Sequence, residues 1–166
     1  MNDGQKPNSS ELILARNRDL VIKRSSLIER GLQLLSEITT LEQGPALLIV
    51  DDDSVVVEVL QKFLIGEGFR SFMATSAEEA IPILQNNNID VVMTDVMMGG
   101  MSGLELTKII KKEYDCDVII FTGYEENCNY EQAVQLGASD FFYKPFRLAD
   151  MLNSVKNILE KRYMKS

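Results

Sequence analysis

From Ala46 to Tyr163, five short apolar runs alternate with five stretches whose apolar residues recur at helical spacing. No other feature of the chain narrows the fold as far. The runs are Ala46–Val50, Phe69–Ala74, Asp90–Thr94, Asp117–Phe121 and Asp140–Tyr143, and the first is apolar throughout. A strand wetted on one side alternates apolar and polar residues, whereas a continuous run must be covered on both faces. The intervening stretches are Val55–Ile65, Ser76–Asn86, Gly103–Glu113, one ending near Leu136-Gly137, and Leu148–Tyr163. They are long enough to supply that cover as helices. Repeated strand–helix units predict an α/β fold: a doubly wound, five-stranded parallel sheet with helices on both faces.

Local signals sharpen the elements. Ser76-Ala-Glu-Glu79 has the spacing of a capping box, and Gly66 and Gly68 stop the helix before them. Pro82 conflicts with its surroundings. It lacks an N–H and clashes with the preceding turn, at about 3 kcal/mol inside a helix, so an irregular or shortened helix is expected there.

Residues 1–44 form a separate N-terminal helical extension, and 45–166 the α/β domain, with Gly44-Pro45 as the boundary. The extension reads as helix from about Ser10 to Glu42. Ile13, Leu20, Leu27, Leu34 and Leu41 recur every seven residues, and Leu14, Val21, Ile28 and Leu35 follow one step later. The result is an apolar stripe along a helix of about 45–50 Å. A heptad seam fills two positions three or four apart, yet those places hold Arg16, Lys23, Arg30, Asn17, Arg24 and Gly31. The stripe therefore fits packing on its own domain or on a two-fold mate better than a regular coiled coil. It predicts a dimerisation or linker helix, with a homodimer as one outcome.

Composition then removes function classes. The chain has no histidine, which excludes Ser-His and Cys-His hydrolase triads, histidine-ligated metals and a phosphohistidine donor. Its net charge is −8. Residues 1–44 carry six basic and six acidic side chains, and 45–166 carry 11 basic and 19 acidic, so the whole excess lies in the second segment. That argues against direct nucleic-acid binding. The cluster Lys156 to Lys165 reads as the solvated basic side of the last helix. Cys116 and Cys128 form no CxxC pair and read as free thiols, although their number leaves one bridge open. No apolar run approaches the roughly 20 residues of a membrane span, and the N-terminus lacks a signal-peptide layout. A soluble, cytoplasmic protein with no membrane partner is expected.

In a doubly wound sheet, ligands bind outside the carboxyl ends of the strands. Four places follow predicted strands directly: Asp51-Asp52-Asp53, Asp95, Thr122 and Lys144. Singly, each reads as a turn, a cap or a solvated loop. Together they converge on one sheet edge, where three carboxylates would repel one another unless a cation sits among them. All-oxygen ligation by few protein groups suits Mg²⁺. A metal-bound carboxylate beside a lysine and a hydroxyl outlines a phosphoryl-transfer site.

These residues resemble the receiver domain of two-component response regulators over about residues 46–163. The resemblance is carried by LLIVDDDS, VVMTDVMMGGMSGLEL, VIIFTGY and GASDFFYKPF, in that order and spacing. It implies a flavodoxin-like strand order of 2-1-3-4-5. It implies that Asp95 accepts a phosphoryl group from a phosphohistidine on a histidine kinase or histidine phosphotransfer protein. Asp52 would hold Mg²⁺ directly and Asp51 largely through water, with Asp95 and the backbone carbonyl of Met97 completing the protein ligands. Asp53, one position further on, reads as a helix cap, with a register slip in the triplet as the alternative. Thr122 and Lys144 would each engage a phosphoryl oxygen. Phe141, three residues before that lysine, stands at the aromatic switch position. Its ring would swing inward as Thr122 moves, altering the surface around the fourth helix and fifth strand of this domain.

The sequence departs from the family pattern in the loop after Asp95. Met98-Gly99-Gly100-Met101-Ser102-Gly103 lacks the usual proline and has Ser102 where an aspartate is common, so a looser loop is expected, with Ser102 able to cap the next helix. Met97 and Tyr124 are bulky and would crowd the approach of hydrolytic water, while Gly123 leaves room for the incoming phosphohistidine. A D-x-D aspartyl phosphatase is disfavoured because Met97 stands where the second acid belongs. The remaining alternative is a phosphorylation-independent interaction module. No helix-turn-helix or catalytic output segment is recognisable, so the output protein stays unknown.

Overall fold

The computed structural model describes residues 8–42, 44–123 and 130–164, without the side chains of 36–42. Tyr124 and Cys128 lie outside these residues. Contacts divide the chain into two units, 1–43 and 44–166. The first contains one helix, α1 (Ser9–Glu42). Asn8 and Glu11 exchange side-chain-to-amide bonds of 2.9 Å at its start, satisfying two donors that a helix N-terminus leaves open. Ile13, Leu14, Leu20, Val21, Leu27, Ile28, Leu34 and Leu35 are all more than half exposed.

The second unit runs β1 (Ala46–Val50), α2 (Ser54–Gly66), β2 (Arg70–Ala74), α3 (Ala77–Asn86), β3 (Val91–Asp95), α4 (Gly103–Glu113), β4 (Asp117–Thr122), α5 (Tyr130–Gln135), β5 (Asp140–Tyr143) and α6 (Leu148–Met164). The strands form one sheet in the order β2-β1-β3-β4-β5. Every pairing is parallel, which is the order the resemblance implied. Alternation along each strand splits the core in two. Leu48, Val50, Val92, Val118 and Ile120 pack with α3, α4 and Ala133 of α5. Leu47, Ile49, Val91, Met93, Ile119 and Phe121 pack with α2 and α6. Complete burial of a side chain such as Ile120 contributes about 1.5–3 kcal/mol, so both layers stabilise the sheet between its helices.

Three local expectations are corrected. Helix α3 runs unbroken through Pro82. The proline removes a single helical donor, while Ala77, Ala80 and Leu84 remain buried on the sheet and hold the helix in place. The capping box at Ser76 is only half made. Ser76 Oγ accepts from the Glu79 amide at 3.1 Å, but Glu79 reaches back to the amide and hydroxyl of Thr75, both at 2.8 Å. Asp95 and Thr122 are the last residues of their strands rather than the first beyond them.

The basic end of α6 is also not wholly solvated. The Arg162 guanidinium lies 3.1 Å from Asp115 and 3.4 Å from Asp117, and its Nε 3.7 Å from Asp90. Asp90 is shared further: Oδ2 accepts from the Ala46 amide at 2.8 Å, and Oδ1 from the Tyr163 hydroxyl at 3.0 Å. This cluster sits at the amino ends of the strands. Among the described residues no helix is long and apolar enough to cross a membrane.

Cys116 is buried and free, and burial pushes its thiol up to about 11. At pH 8 about one part in a thousand would be thiolate, the form that reacts. Peptide-mapped alkylation of the native chain at pH 8 is therefore expected to leave Cys116 largely unmodified, and urea to make it fully reactive. Rapid native labelling at Cys116 would contradict this.

Candidate functional site

The carboxyl edge of the sheet is set by register. Val50 pairs with Thr94, and Asp95 with Phe121, so Asp51 and Asp95 leave neighbouring strands at one level. Phe121 pairs with Phe142, and Thr122 with Tyr143, which brings Lys144 to the same edge. The Lys144 amide donates to the Thr122 carbonyl at 2.7 Å, and the Asp51 amide to the Ala74 carbonyl at 3.3 Å. Side chains 93 residues apart in sequence therefore meet through backbone pairing alone.

At the centre, Lys144 Nζ bonds Asp51 Oδ2 and Asp95 Oδ2, both at 2.7 Å. It also stands 5.1 Å from the centroid of the Phe121 ring. Asp51 and Asp95 are buried and Asp52 is exposed. Burial raises the Asp51 pKa, opposed by the bonds from Lys144 and from the Asp53 amide. Burial pulls the Lys144 pKa down, but its bonds to Asp51 and Asp95 outweigh this and leave it raised. The lysine is thus held charged between two acids.

One carboxylate oxygen from each of Asp51, Asp52 and Asp95 can be chosen so that all lie within 4.8 Å of one another. Three carboxylates face one ammonium, a deficit that a divalent cation would balance. Among the described residues, neither Asp95 Oδ1 nor Thr122 Oγ1, both buried, has a hydrogen-bond partner. Buried polar atoms are nearly always bonded, and each unmade bond costs about 1–3 kcal/mol. Two such atoms at one sheet edge mark a place built for a group that supplies the missing contacts. The hard, all-oxygen donor set and the orphaned Asp95 oxygen fit Mg²⁺ and a phosphoryl group.

The other candidate residues divide by role. Asp53 caps α2, its carboxylate accepting from the Val55 and Val56 amides, and it is not one of the three clustered acids. Met97 lies in the loop after β3 and is 58% exposed. Phe141 is buried in β5, its ring 4.9 Å from that of Tyr143 and nearly perpendicular to it. Gly123 is described and Tyr124 is not. Ser102 makes a complete capping box with Glu105 at the start of α4.

Two contributors carry little or no local signal in the sequence. Gly103, the first residue of α4, passes so close to β3 that a Cβ there would lie 1.8 Å from the Asp95 carbonyl oxygen. Glu78, in the first turn of α3, accepts from the Met101 amide at 3.0 Å across 23 residues. Only the Ser-Gly pair that opens an amphipathic helix hints at the first.

A family model described as the response regulator receiver domain matches residues 47–156. The heme response regulator HssR of Staphylococcus saprophyticus is 40% identical over 116 residues, covering 70% of this chain and 51% of its own length. The transcriptional regulatory protein YvrH of Bacillus subtilis is 34% identical over 122 residues, covering 73% and 52%. The chain thus spans about half the length of these curated relatives. Among solved structures, a response regulator receiver domain protein from Clostridium thermocellum superimposes with a TM-score of 0.69 at 29% identity. That match covers 74% of this chain and 99% of the other.

Proposed function

The chain belongs to the receiver-domain family of response regulators, and from that premise we propose that it is the phosphoacceptor switch of a two-component system or phosphorelay. A phosphohistidine on a partner kinase or phosphotransfer protein donates to Asp95, and Mg²⁺ is the cofactor. The observation that carries this reading is the pair of buried, unpartnered oxygens, Asp95 Oδ1 and Thr122 Oγ1, at the edge where Lys144 bridges two acids.

Asp51, Asp52, Asp95 and the Met97 carbonyl would hold the ion, which supplies charge neutralisation for the phosphoryl oxygens. An Asp95 carboxylate oxygen attacks phosphorus in line. As the O–P bond forms, the P–N bond to imidazole breaks and its electron pair stays on the imidazole nitrogen. Lys144 shifts part of its pairing from Asp95 to a phosphoryl oxygen. The Thr122 hydroxyl donates to another, gaining the bond it lacks. Movement of Thr122 is felt by Phe141 and rearranges the surface around α5 and β5. The chain acts as a switch rather than a turnover enzyme, with slow self-hydrolysis of the acyl phosphate. We place it in the cytoplasm, with no direct contact to nucleic acid or membrane.

Incubating the full chain with acetyl phosphate and Mg²⁺ tests this by intact mass. One added phosphoryl group is expected, lost when EDTA replaces Mg²⁺. No incorporation would leave the phosphorylation-independent interaction module as the better reading.

We also propose that residues 1–44 act as a dimerisation helix. A lone helix in water draws little stability from propensity, and most comes from packing an apolar face. The exposed aliphatic stripe of α1 extends over more than three heptads, and its segment is charge-neutral, so a second copy can approach without net repulsion. Light scattering is expected to give a dimer for the full chain and a monomer for a chain beginning at Gln43. Monomers in both cases would overturn it.

A further inference from the structure

The loop from Val96 to Ser102 follows the acceptor aspartate and carries the Met97 carbonyl. It contains adjacent glycines and no proline, so its backbone has little intrinsic rigidity. Its ends are nevertheless fixed. The Val96 amide bonds the Phe121 carbonyl at 3.3 Å, the Gly103 amide bonds the Val96 carbonyl at 3.0 Å, and the Ser102 amide bonds Glu105 at 2.9 Å. Those contacts join the loop to β4, to itself and to α4. At its far side, the Met101 amide donates to Glu78 Oε1, on α3.

Two further observations single out that contact. Gly100 has φ +85°, and a Cβ on it would lie 2.8 Å from the same Glu78 oxygen, so the loop backbone closes directly over the carboxylate. The bond from the Met101 amide also leads the causes that lower the Glu78 pKa, so the contact favours the charged carboxylate. Glu78 also sits in the first turn of α3, where the helix dipole favours a negative charge.

We propose that Glu78 is a positioning residue for the phosphoacceptor site: by bonding the Met101 amide it holds the loop after Asp95, and with it the Met97 carbonyl, in the arrangement that receives Mg²⁺. This rests on the reading of the site given above. Glu78 performs here the restraint that a proline would otherwise supply, through a side chain of a different element. Its own carboxylate touches neither ion nor phosphoryl group.

The test uses the full chain and Mg²⁺ alone as the probe, followed by amide chemical shifts. Glu78→Ala is expected to weaken Mg²⁺ binding about three- to fivefold, the equivalent of one modest hydrogen bond, and to speed exchange of the Met101 amide by a similar factor. Glu78→Gln keeps an acceptor oxygen at the same reach and is expected to recover most of the affinity. Glu78→Asp is one methylene short and is expected to behave as Ala. Thermal midpoints should stay within a few degrees of the parent, which separates positioning from general loss of structure. If the parent binds Mg²⁺ and Glu78→Ala binds it equally well, the positioning role is overturned while the reading of the site stands. If the parent shows no Mg²⁺ response, the reading of the site falls and the positioning role falls with it.

Discussion

Asparagine in place of Asp95 is expected to abolish phosphoryl incorporation and to leave the Mg²⁺-free chain at least as heat-stable as the parent. The two effects have separate causes. An amide oxygen is not a nucleophile at phosphorus, so the acyl phosphate cannot form. The shape of the side chain is kept, however, and the charge removed is one of two nearly buried carboxylates that share a single lysine. Lys144 keeps its 2.7 Å bond to Asp51, so no ammonium is stranded. Asp51 loses a neighbouring negative charge that contributes to its raised pKa. Intact mass after acetyl phosphate and a thermal melt without Mg²⁺ read the two halves independently. Incorporation equal to the parent would move the acceptor to another carboxylate. A midpoint several degrees lower would mean that the Lys144–Asp95 pair outweighs the desolvation of Asp95.

The second large effect is expected at Gly103. A Cβ there would lie 1.8 Å from the Asp95 carbonyl oxygen, 2.8 Å from its carbon and 2.9 Å from Thr94 Oγ1. Two of these three are backbone atoms at the end of a central strand, which cannot swing aside as a side chain can. Thr94 Oγ1 in turn donates to that same Asp95 carbonyl at 2.9 Å. Gly103→Ala must push α4 off the sheet or bend β3, at about 3 kcal/mol or more. For a chain of this size the midpoint should fall by about 6–12 °C. Gly99 is the control. Nothing lies within 4 Å of a Cβ built there, so Gly99→Ala should stay within about 0.5 kcal/mol. Urea titration of both variants distinguishes the cases, and near-equal midpoints would refute the steric argument.

Gly103 also shows where the sequence is readable and where it is not. The central strands β1, β3 and β4 declare themselves because each is a largely apolar run buried on both faces, and the edge strands β2 and β5 follow as shorter, partly exposed runs in the same rhythm. Asp51, Asp52, Asp95, Thr122 and Lys144 follow from the strands, since each stands at or just past a strand end and parallel pairing brings those ends to one edge. Asp53 was legible as a cap because capping is settled within three residues. What escaped depends on distance in sequence. Pro82 reads as a helix breaker until the buried Ala80 and Leu84 on either side are seen to anchor the helix. Arg162 reads as a solvated charge until three aspartates from other segments surround it. Glu78 looks like one more acid at a helix start. Its bond to Met101 depends on how α3 and the loop after β3 come to lie side by side, which no window of local sequence encodes.

Asp90 joins the beginning and the end of the receiver unit. One of its oxygens takes the Ala46 amide, where the first strand begins, and the other takes the Tyr163 hydroxyl in the last turn of the last helix. Both ends of this unit are thus tied to a single side chain, at the opposite rim of the sheet from the acid cluster. Such a unit is a natural cassette. It can be spliced into a surface loop of a host protein without prising that loop apart, or joined end to end and reopened elsewhere, while its acidic rim stays clear of the seam.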